Sequence, residues 1–572
     1  MRKATLLSIL LLMSLGTFAQ SVRRVPVLRV QFPDCKFSTS EEHMQAIAGR
    51  AGQYFTDQFC GQCTFTFDLG PVVTLAEPAS YYGRNATDRK DFLLYKAVQE
   101  ACFASEKDMD FRLYDCDSDN TVDNICIVFA GNSEAGADDP DLIWSQQDRL
   151  SSFDVSILIQ GRKIDSFSIS AEADSLGTLC HEYGHVLGLP DLYDVDGDGS
   201  GGLSEGLWGS ISLMDRGNLN DRGCTPPNFT AIEMDILNLG NCEELRTGSF
   251  NLQPLSREKR FLKAGTPNQG EYFLFECRDN EGWDSAIGGS GLLICHIDKS
   301  GRDAGYSDYY RVTLTAYERW RMAQINCRPD HPCATICKAD PDALEASEVF
   351  YHGNVRKSFG SDTKPAFRTW KGEPSSLAVT GIRHNPDGSV SFEVIVPVLL
   401  GEVLSFQDAA ILDWVTDESL SGISETMVKW SSGAGDLDSL KVGPQARCCT
   451  IEHLKPFTEY DVDIQVRLSN GDAFSASTQL KTKYWRKELQ PYIFLGSAER
   501  SADGLFLAGS RIPLRVCNCP DAAEVRWTLD GQEIGVGSDG YYTMDRSGVL
   551  KAEVFYTDGT RDVLIKNLKL AK

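Results

Sequence analysis

The spacing of hydrophobic positions changes character along the chain. Up to about residue 245, short apolar runs alternate with stretches of helical period. Val25–Phe32 and Ile125–Ala130 are continuous apolar runs, the pattern of strands buried on both faces of a parallel sheet. Thr64–Leu69 alternates and reads as a strand, whereas Glu41–Phe59 and Asp91–Phe103 repeat with helical spacing. Ser170–Cys180, with Ile169, Leu176, Leu179 and Cys180 on its apolar side, reads as the lead-in to a further helix. Strands alternating with helices predict an α/β unit over residues 20–245. From Gly248 the pattern shifts to short strands and turns, such as Glu271–Glu276, Gly291–Ile297 and Val390–Ile395. This predicts a β-rich extension over residues 246–397.

Two all-β modules follow, over residues 398–484 and 485–572. The first carries Trp414, Trp430, a Leu454 six residues before Tyr460, and a closing Thr478–Thr482 stretch. It resembles a fibronectin type III domain. The second carries Ile512–Val516, Val525–Gly531 around Trp527, and Gly548–Tyr556, and resembles an immunoglobulin-like sandwich. The fold class expected is therefore multidomain: an α/β unit, a β-rich extension, then two sandwiches. Tyr541 and Tyr542 offer aromatic rings to a glycan or cell surface, or to their own module's packing.

Composition narrows the functions. The 572 residues carry a net charge of −25, which argues against a nucleic-acid partner, since that would need a basic footprint. Arg2 and Lys3 precede an apolar run from Ala4 to Leu15, too short to span a bilayer. Thr17-Phe18-Ala19 then offers small residues for cleavage before Gln20. Residues 1–19 thus read as a signal peptide, and the mature chain is expected to be exported, periplasmic or extracellular, without a transmembrane anchor. Val25 opens the first strand so soon that little room is left for an inhibitory pro-segment. Export permits disulfides among the 18 cysteines, but sequence does not pair them.

The chemistry concentrates in His181-Glu182-Tyr183-Gly184-His185 and the six residues after it. On a helix His181 and His185 project from one face and can share one metal ion. Glu182 lies on the flank, where a carboxylate can take a proton from an attacking water. Gly188 can end the helix in a left-handed turn and Pro190 prevents its resumption, so the chain can bring Asp191 back to the same ion. Glu205 lies twenty residues past His185 and offers a competing third ligand. Yet Asp194, Asp196, Asp198 and Glu205, with Gly199 between them, also match a calcium loop. Asp115, Asp117, Asp119 and Asp123 form a second acidic loop whose odd spacing suits calcium. In both loops the bland alternative is a solvated acidic turn.

Matches spread in order along residues 25–397 resemble the immune inhibitor A-like family of secreted zinc metallopeptidases. They include Val30-Gln31-Phe32-Pro33-Asp34, Tyr54-Phe55, the acidic loop 115–124, Ile143-Trp144-Ser145, the stretch Trp208 to Asp215, Leu239-Gly240, Glu276-Cys277-Arg278 and the stretch Gly291 to His296. The resemblance implies a metzincin-type endopeptidase acting on protein or peptide substrates. It also implies zinc held by His181, His185 and Asp191, Glu182 as general base, and Met214 in the turn beneath the metal. Many metzincins carry a Tyr two residues after that methionine. Here the position is Arg216, which can serve as a substitute donor or as a surface charge. Cys35 and Cys180 are alternative caps for the metal or plain buried thiols. Two rival readings remain: a non-catalytic surface or glycan-binding protein with a degenerate protease domain, and a zinc hydrolase of another bond.

Overall fold

The computed structural model describes residues 21–87, 89–433, 437–456, 458–483, 490–520, 522–556 and 561–571. The expected signal peptide lies outside the described residues. The chain forms two compact units. The first takes in residues up to Leu245, then Asn251–Val355 and Arg383–Ser391. The second takes in Arg246–Phe250, Arg356–Ile382 and the chain from Phe392 onward.

The first unit opens with β1 (Ser21–Gln31), α1 (Glu41–Gln58), β2 (Cys63–Thr74), α2 (Leu94–Ser105), β3 (Ile125–Phe129), β4 (Gln146–Arg149), β5 (Ser166–Ala171) and α3 (Leu176–Leu187). The strands form one sheet in the order β2-β1-β3-β5-β4. All are parallel to their neighbours except β4, which runs against β5. Strand alternation sorts the side chains into two layers. Val25, Val27, Phe65, Phe67 and Val128 meet α1 and α3 through Met44, Ala48, Phe55, Leu179 and Tyr183. Leu28, Val30, Ile127, Phe167 and Ile169 meet α2 through Leu94, Val98 and Ala101. A sheet covered on both faces explains why its inner strands read as unbroken apolar runs.

One expectation is corrected here. Residues 166–171 are a strand, and the helix begins only at Leu176, behind the extended Ser175. The reason is period: Phe167 and Ile169 alternate with serines, and both are buried in the α2 layer. The helix itself is held by Leu176, Leu179, Cys180 and Tyr183, spaced three and four apart. Tyr183 lies edge-on to Phe55 at 4.9 Å and to Phe67 at 5.1 Å. Truncating such a core aromatic costs about 3–5 kcal/mol.

A second sheet in the same unit orders its strands Ala334–Ile336, Gly291–Asp298, Glu271–Arg278, Arg260–Gly265 and Asn241–Glu244. Its residues Phe261, Leu274, Leu293 and Cys295 continue the core that contains α1 and α3. Between the two sheets in sequence lies α4 (Ala231–Leu237), begun by a reciprocal capping box between Thr230 and Glu233.

The second unit contains two β-sandwich modules. In the first, Trp414 from one sheet and Val428, Tyr460 and Ile464 from the other share a core. The Lys455 amide donates to the Tyr460 hydroxyl oxygen at 2.7 Å, a tyrosine corner. In the second, Trp527 is buried among Ile512, Leu514, Leu550 and Val554. Among the described residues no helix is long and apolar enough to cross a membrane. All 18 cysteines are free thiols.

Candidate metal centre

The helix α3 presents His181 and His185 with ring centroids 4.8 Å apart and planes at 88°. Each Nδ1 is tied to a backbone carbonyl: His181 to Leu213 at 2.9 Å and His185 to Leu189 at 2.8 Å. A carbonyl can only accept, so both rings carry their proton on Nδ1 and keep the Nε2 lone pair bare when neutral. Gly188 ends α3 in the left-handed region at φ 102°, which a side chain would strain. The chain then turns back. Asp191 Oδ1 stands 3.2 Å from His181 Nε2 and 3.3 Å from His185 Nε2.

This arrangement has a gap in its bonding. Asp191 Oδ1 is buried and makes no well-aligned hydrogen bond. Three acceptors thus converge there. Tetrahedral ligands about 2.0–2.1 Å from an ion stand roughly 3.4 Å apart, close to the spacing observed, so the donor set fits a zinc-sized cation. Burial alone would lower the His185 pKa, but the hydrogen bond and charge of Asp191, with Glu182 behind it, lift it to about 9. Burial opposes ionisation of Asp191 too, yet the two imidazoles hold it well below the usual carboxylate range.

Glu182, 7% exposed, follows His181 on the same helix. Burial pushes its carboxyl upward, His181 and His185 pull it down, and Asp191 and Asp174 add to the upward shift. The net rise moves it toward the range that suits a proton carrier. Beneath the helix runs the Ser212–Met214 turn. Met214 is fully buried, and a Cβ on Gly184 would stand 2.7 Å from its sulfur, so the glycine lets the helix lie close against the methionine. The turn is clamped by Glu233, whose Oε1 accepts from Ser212 Oγ at 2.7 Å and from the Met214 amide at 3.1 Å. The Met214 carbonyl in turn accepts from the Leu192 amide at 2.8 Å. Met214 is the residue that the family resemblance implied for this turn; Glu233 was not anticipated, although the Thr230-x-x-Glu233 cap was its signal.

Tyr193, two residues past Asp191, was likewise not anticipated. Its ring lies nearly parallel to that of His181 with centroids 6.4 Å apart. Burial, then the charges of Asp191 and Glu182, raise its phenol. Arg216, by contrast, is exposed. Cys180 lies in the core behind α3, and neither it nor Cys35 joins the cluster of His181, His185 and Asp191.

The acidic residues separate. Glu205 turns outward to Lys338, whose Nζ donates to its two oxygens at 3.0 and 3.1 Å. Asp198 is exposed. Asp194 and Asp196 instead gather with Cys327, their ligand atoms within 4.8 Å of one another. Ser200 Oγ donates to Asp196 at 2.5 Å, and the Ser200 amide donates to Asp308 at 2.5 Å. In the other loop Asp115, Asp117 and Asp119 come within 4.8 Å, and Asp115 Oδ1 is buried without a hydrogen bond. Asp123 lies beside Cys116 and Arg23 instead.

Residues 31–239 match the model of the immune inhibitor A peptidase M6 catalytic domain. Immune inhibitor A of Bacillus thuringiensis subsp. alesti is 28% identical over 216 residues, covering 31% of this chain and 30% of that protein. The pre-pro-metalloprotease PrtV of Vibrio cholerae serotype O1 is 27% identical over 168 residues, covering 23% of this chain and 18% of that protein. The match thus spans less than a third of either relative. Among solved structures, the fn3 domain of human collagen alpha-1(XX) chain aligns with 16% of this chain and 89% of its own, at 16% identity and a TM-score of 0.14. The segment 31–239, which contains His181, Glu182, His185 and Asp191, is therefore similar to the peptidase M6 catalytic domain of immune inhibitor A.

Proposed function

We propose that the chain is an exported, zinc-dependent endopeptidase. The observation that carries this reading is the convergence of both imidazole Nε2 atoms on one buried Asp191 oxygen, at 3.2 and 3.3 Å. His181, His185 and Asp191 would hold the ion and leave a fourth position open. When bound, zinc supplies a Lewis acid that acidifies water and polarises the scissile carbonyl. The chain's own residues do the rest. The two backbone carbonyls of Leu213 and Leu189 fix the ring tautomers and orientations. Glu182 takes the proton of the attacking water and returns it to the leaving amine. Tyr193, beside His181 and near Asp191, is the phenol available to donate to the oxyanion, a role for which Arg216 is too exposed.

Calcium fits this reading as a structural ion at the 115–119 loop and at the Asp194/Asp196 loop. In the second loop Asp308, held to the Ser200 amide, offers a carboxylate in place of Glu205, and the Cys327 sulfur nearby is not a calcium ligand. The sandwich modules serve as spacers or surface-binding modules. Tyr541 is exposed with Arg511 over its ring at 4.0 Å, whereas Tyr542 is packed inward. The test is hydrolysis of casein by the purified chain, with and without a chelator and with Glu182→Ala. Chelator-sensitive cleavage lost in the variant supports the proposal. Equal cleavage by the variant, or failure to bind stoichiometric zinc, rejects it.

A further inference from the structure

Lys259 is a cation in an unusual position. It follows the short helix Leu255–Glu258 in the left-handed region at φ 45°, and the residue is only 8% exposed. Its ammonium lies 3.3 Å from Gln58 Oε1 and 3.3 Å from Asn228 Oδ1. Those are neutral amide oxygens, and no carboxylate ion-pairs with Lys259 among the described residues. Burial depresses its pKa, with Asp284 and Cys60 partly restoring it. A buried cation facing only amides is expensive to maintain, as is a non-glycine residue at positive φ.

The amides around it are oriented without ambiguity. Gln58 Oε1 accepts from the Phe229 amide at 2.9 Å, so its Nε2 must be the group that donates to Asn228 Oδ1 at 3.1 Å. Asn228 Oδ1 therefore takes two donors. Its Nδ2, on a side chain 2% exposed, has no acceptor. The ammonium has a third N–H beyond its two amide contacts. Lys259 and Asn228 both line a cavity of about 640 Å³, together with Arg50, Asp57, Ser285 and Trp283. Arg50 lies 5.7 Å from the Trp283 ring centre. The single carboxylate is already engaged: Asp57 accepts from Trp283 Nε1 at 2.9 Å and from Gln53 Nε2 at 2.6 Å.

Two cations and an aromatic wall thus meet in a cavity large enough for a small molecule. We propose that it binds a small organic oxyanion, a carboxylate or phosphate ester. Its oxygens take the third N–H of Lys259 and the guanidinium of Arg50, and its body lies against Trp283. Charge-assisted hydrogen bonds are the strong kind, and the ligand would take the N–H that Lys259 has left over from its two amide contacts.

The test is calorimetric titration of the full chain with inorganic phosphate, acetate and benzoate at matched ionic strength in chloride. Saturable binding is expected, weakened about tenfold or more by Lys259→Met. Because Lys259 also ties Gln58 to Asn228, the exposed Arg50→Gln is the second variant and is expected to weaken binding while folding normally. Benzoate binding tighter than acetate supports an organic carboxylate stacked on Trp283, and phosphate binding tightest supports a phosphate ester. The absence of saturable binding by all three anions overturns the proposal, as does binding that both folded variants retain. If Lys259→Met does not fold, Arg50→Gln alone decides.

Discussion

His181 Nδ1 donates to the Leu213 carbonyl at 2.9 Å, across 32 residues of chain. One bond thereby joins the helix that presents the imidazole to the turn that ends in Met214, and it sets which ring nitrogen is free. The same turn is held from the other side by Glu233. The orientation of the imidazole is a property of tertiary packing as much as of the helix.

Glu182→Gln keeps the shape of the side chain and removes its basicity. Cleavage should fall by about 10²–10⁴-fold, while zinc content by elemental analysis stays at that of the parent chain. Loss of zinc along with activity would mean that Glu182 serves the metal's site rather than proton transfer.

Asp191→Ala and Glu205→Gln should behave oppositely. Removing Asp191 takes away a converging oxygen and should lower zinc affinity by at least about a hundredfold, more than losing an outer partner does. Glu205 faces Lys338 with its side chain 59% exposed, so its replacement should leave zinc affinity unchanged. Competition with a chromophoric chelator reads both.

Tyr193→Phe should reduce kcat by about tenfold to a hundredfold, in line with the loss of one oxyanion donor, with KM and zinc content little changed. An unchanged kcat would remove Tyr193 from the chemistry and leave it a packing partner of His181.

Asp91 gives a pH signature of stability away from the metal. It is fully buried, with one oxygen accepting from the Trp144 amide at 3.0 Å and from Gln146 at 2.6 Å, and the other without a partner. Burial, opposed by those two donors and reinforced by Glu134, pushes its pKa up to about 7. The folded state then binds a proton that the unfolded chain releases near pH 3.8. Its contribution to stability is full below that pH and is lost as pH rises to about 7, by roughly 4 kcal/mol at most. Asp91→Asn should flatten that part of the profile in denaturant titrations.

Removing calcium with a selective chelator while zinc is kept saturated should lower Tm by several degrees, and added calcium should restore it. Asp117→Asn should reduce the response. An unchanged Tm would leave both acidic loops as solvated turns.

Much of this protein was legible locally. His181 and His185 share a face because they are four apart on a helix, and Gly188 ends that helix because only glycine takes φ 102° without strain. Leu454 and Tyr460 pointed to a sandwich corner, and the unbroken apolar runs of β1 and β3 pointed to a covered parallel sheet. The end of the strand, Ile169 to Ala171, fits a helical lead-in equally well because Ile169 suits either period when the residues beyond it are helical.

What tertiary structure alone decided are the contacts between distant segments. Asp191 and Glu205 are equivalent as carboxylates in one loop, and only the packing of that loop brings the first to the imidazoles and sends the second to Lys338. Asp308 and Cys327 reach the 194–200 loop from more than a hundred residues away. Lys259 meets Gln58 across 201 residues. Periodicity records which face of an element is buried. It carries no record of which other element covers that face, because that depends on the summed packing of the whole core. The chain by itself therefore determined the helix that offers two imidazoles. The fold decided what else converges on them.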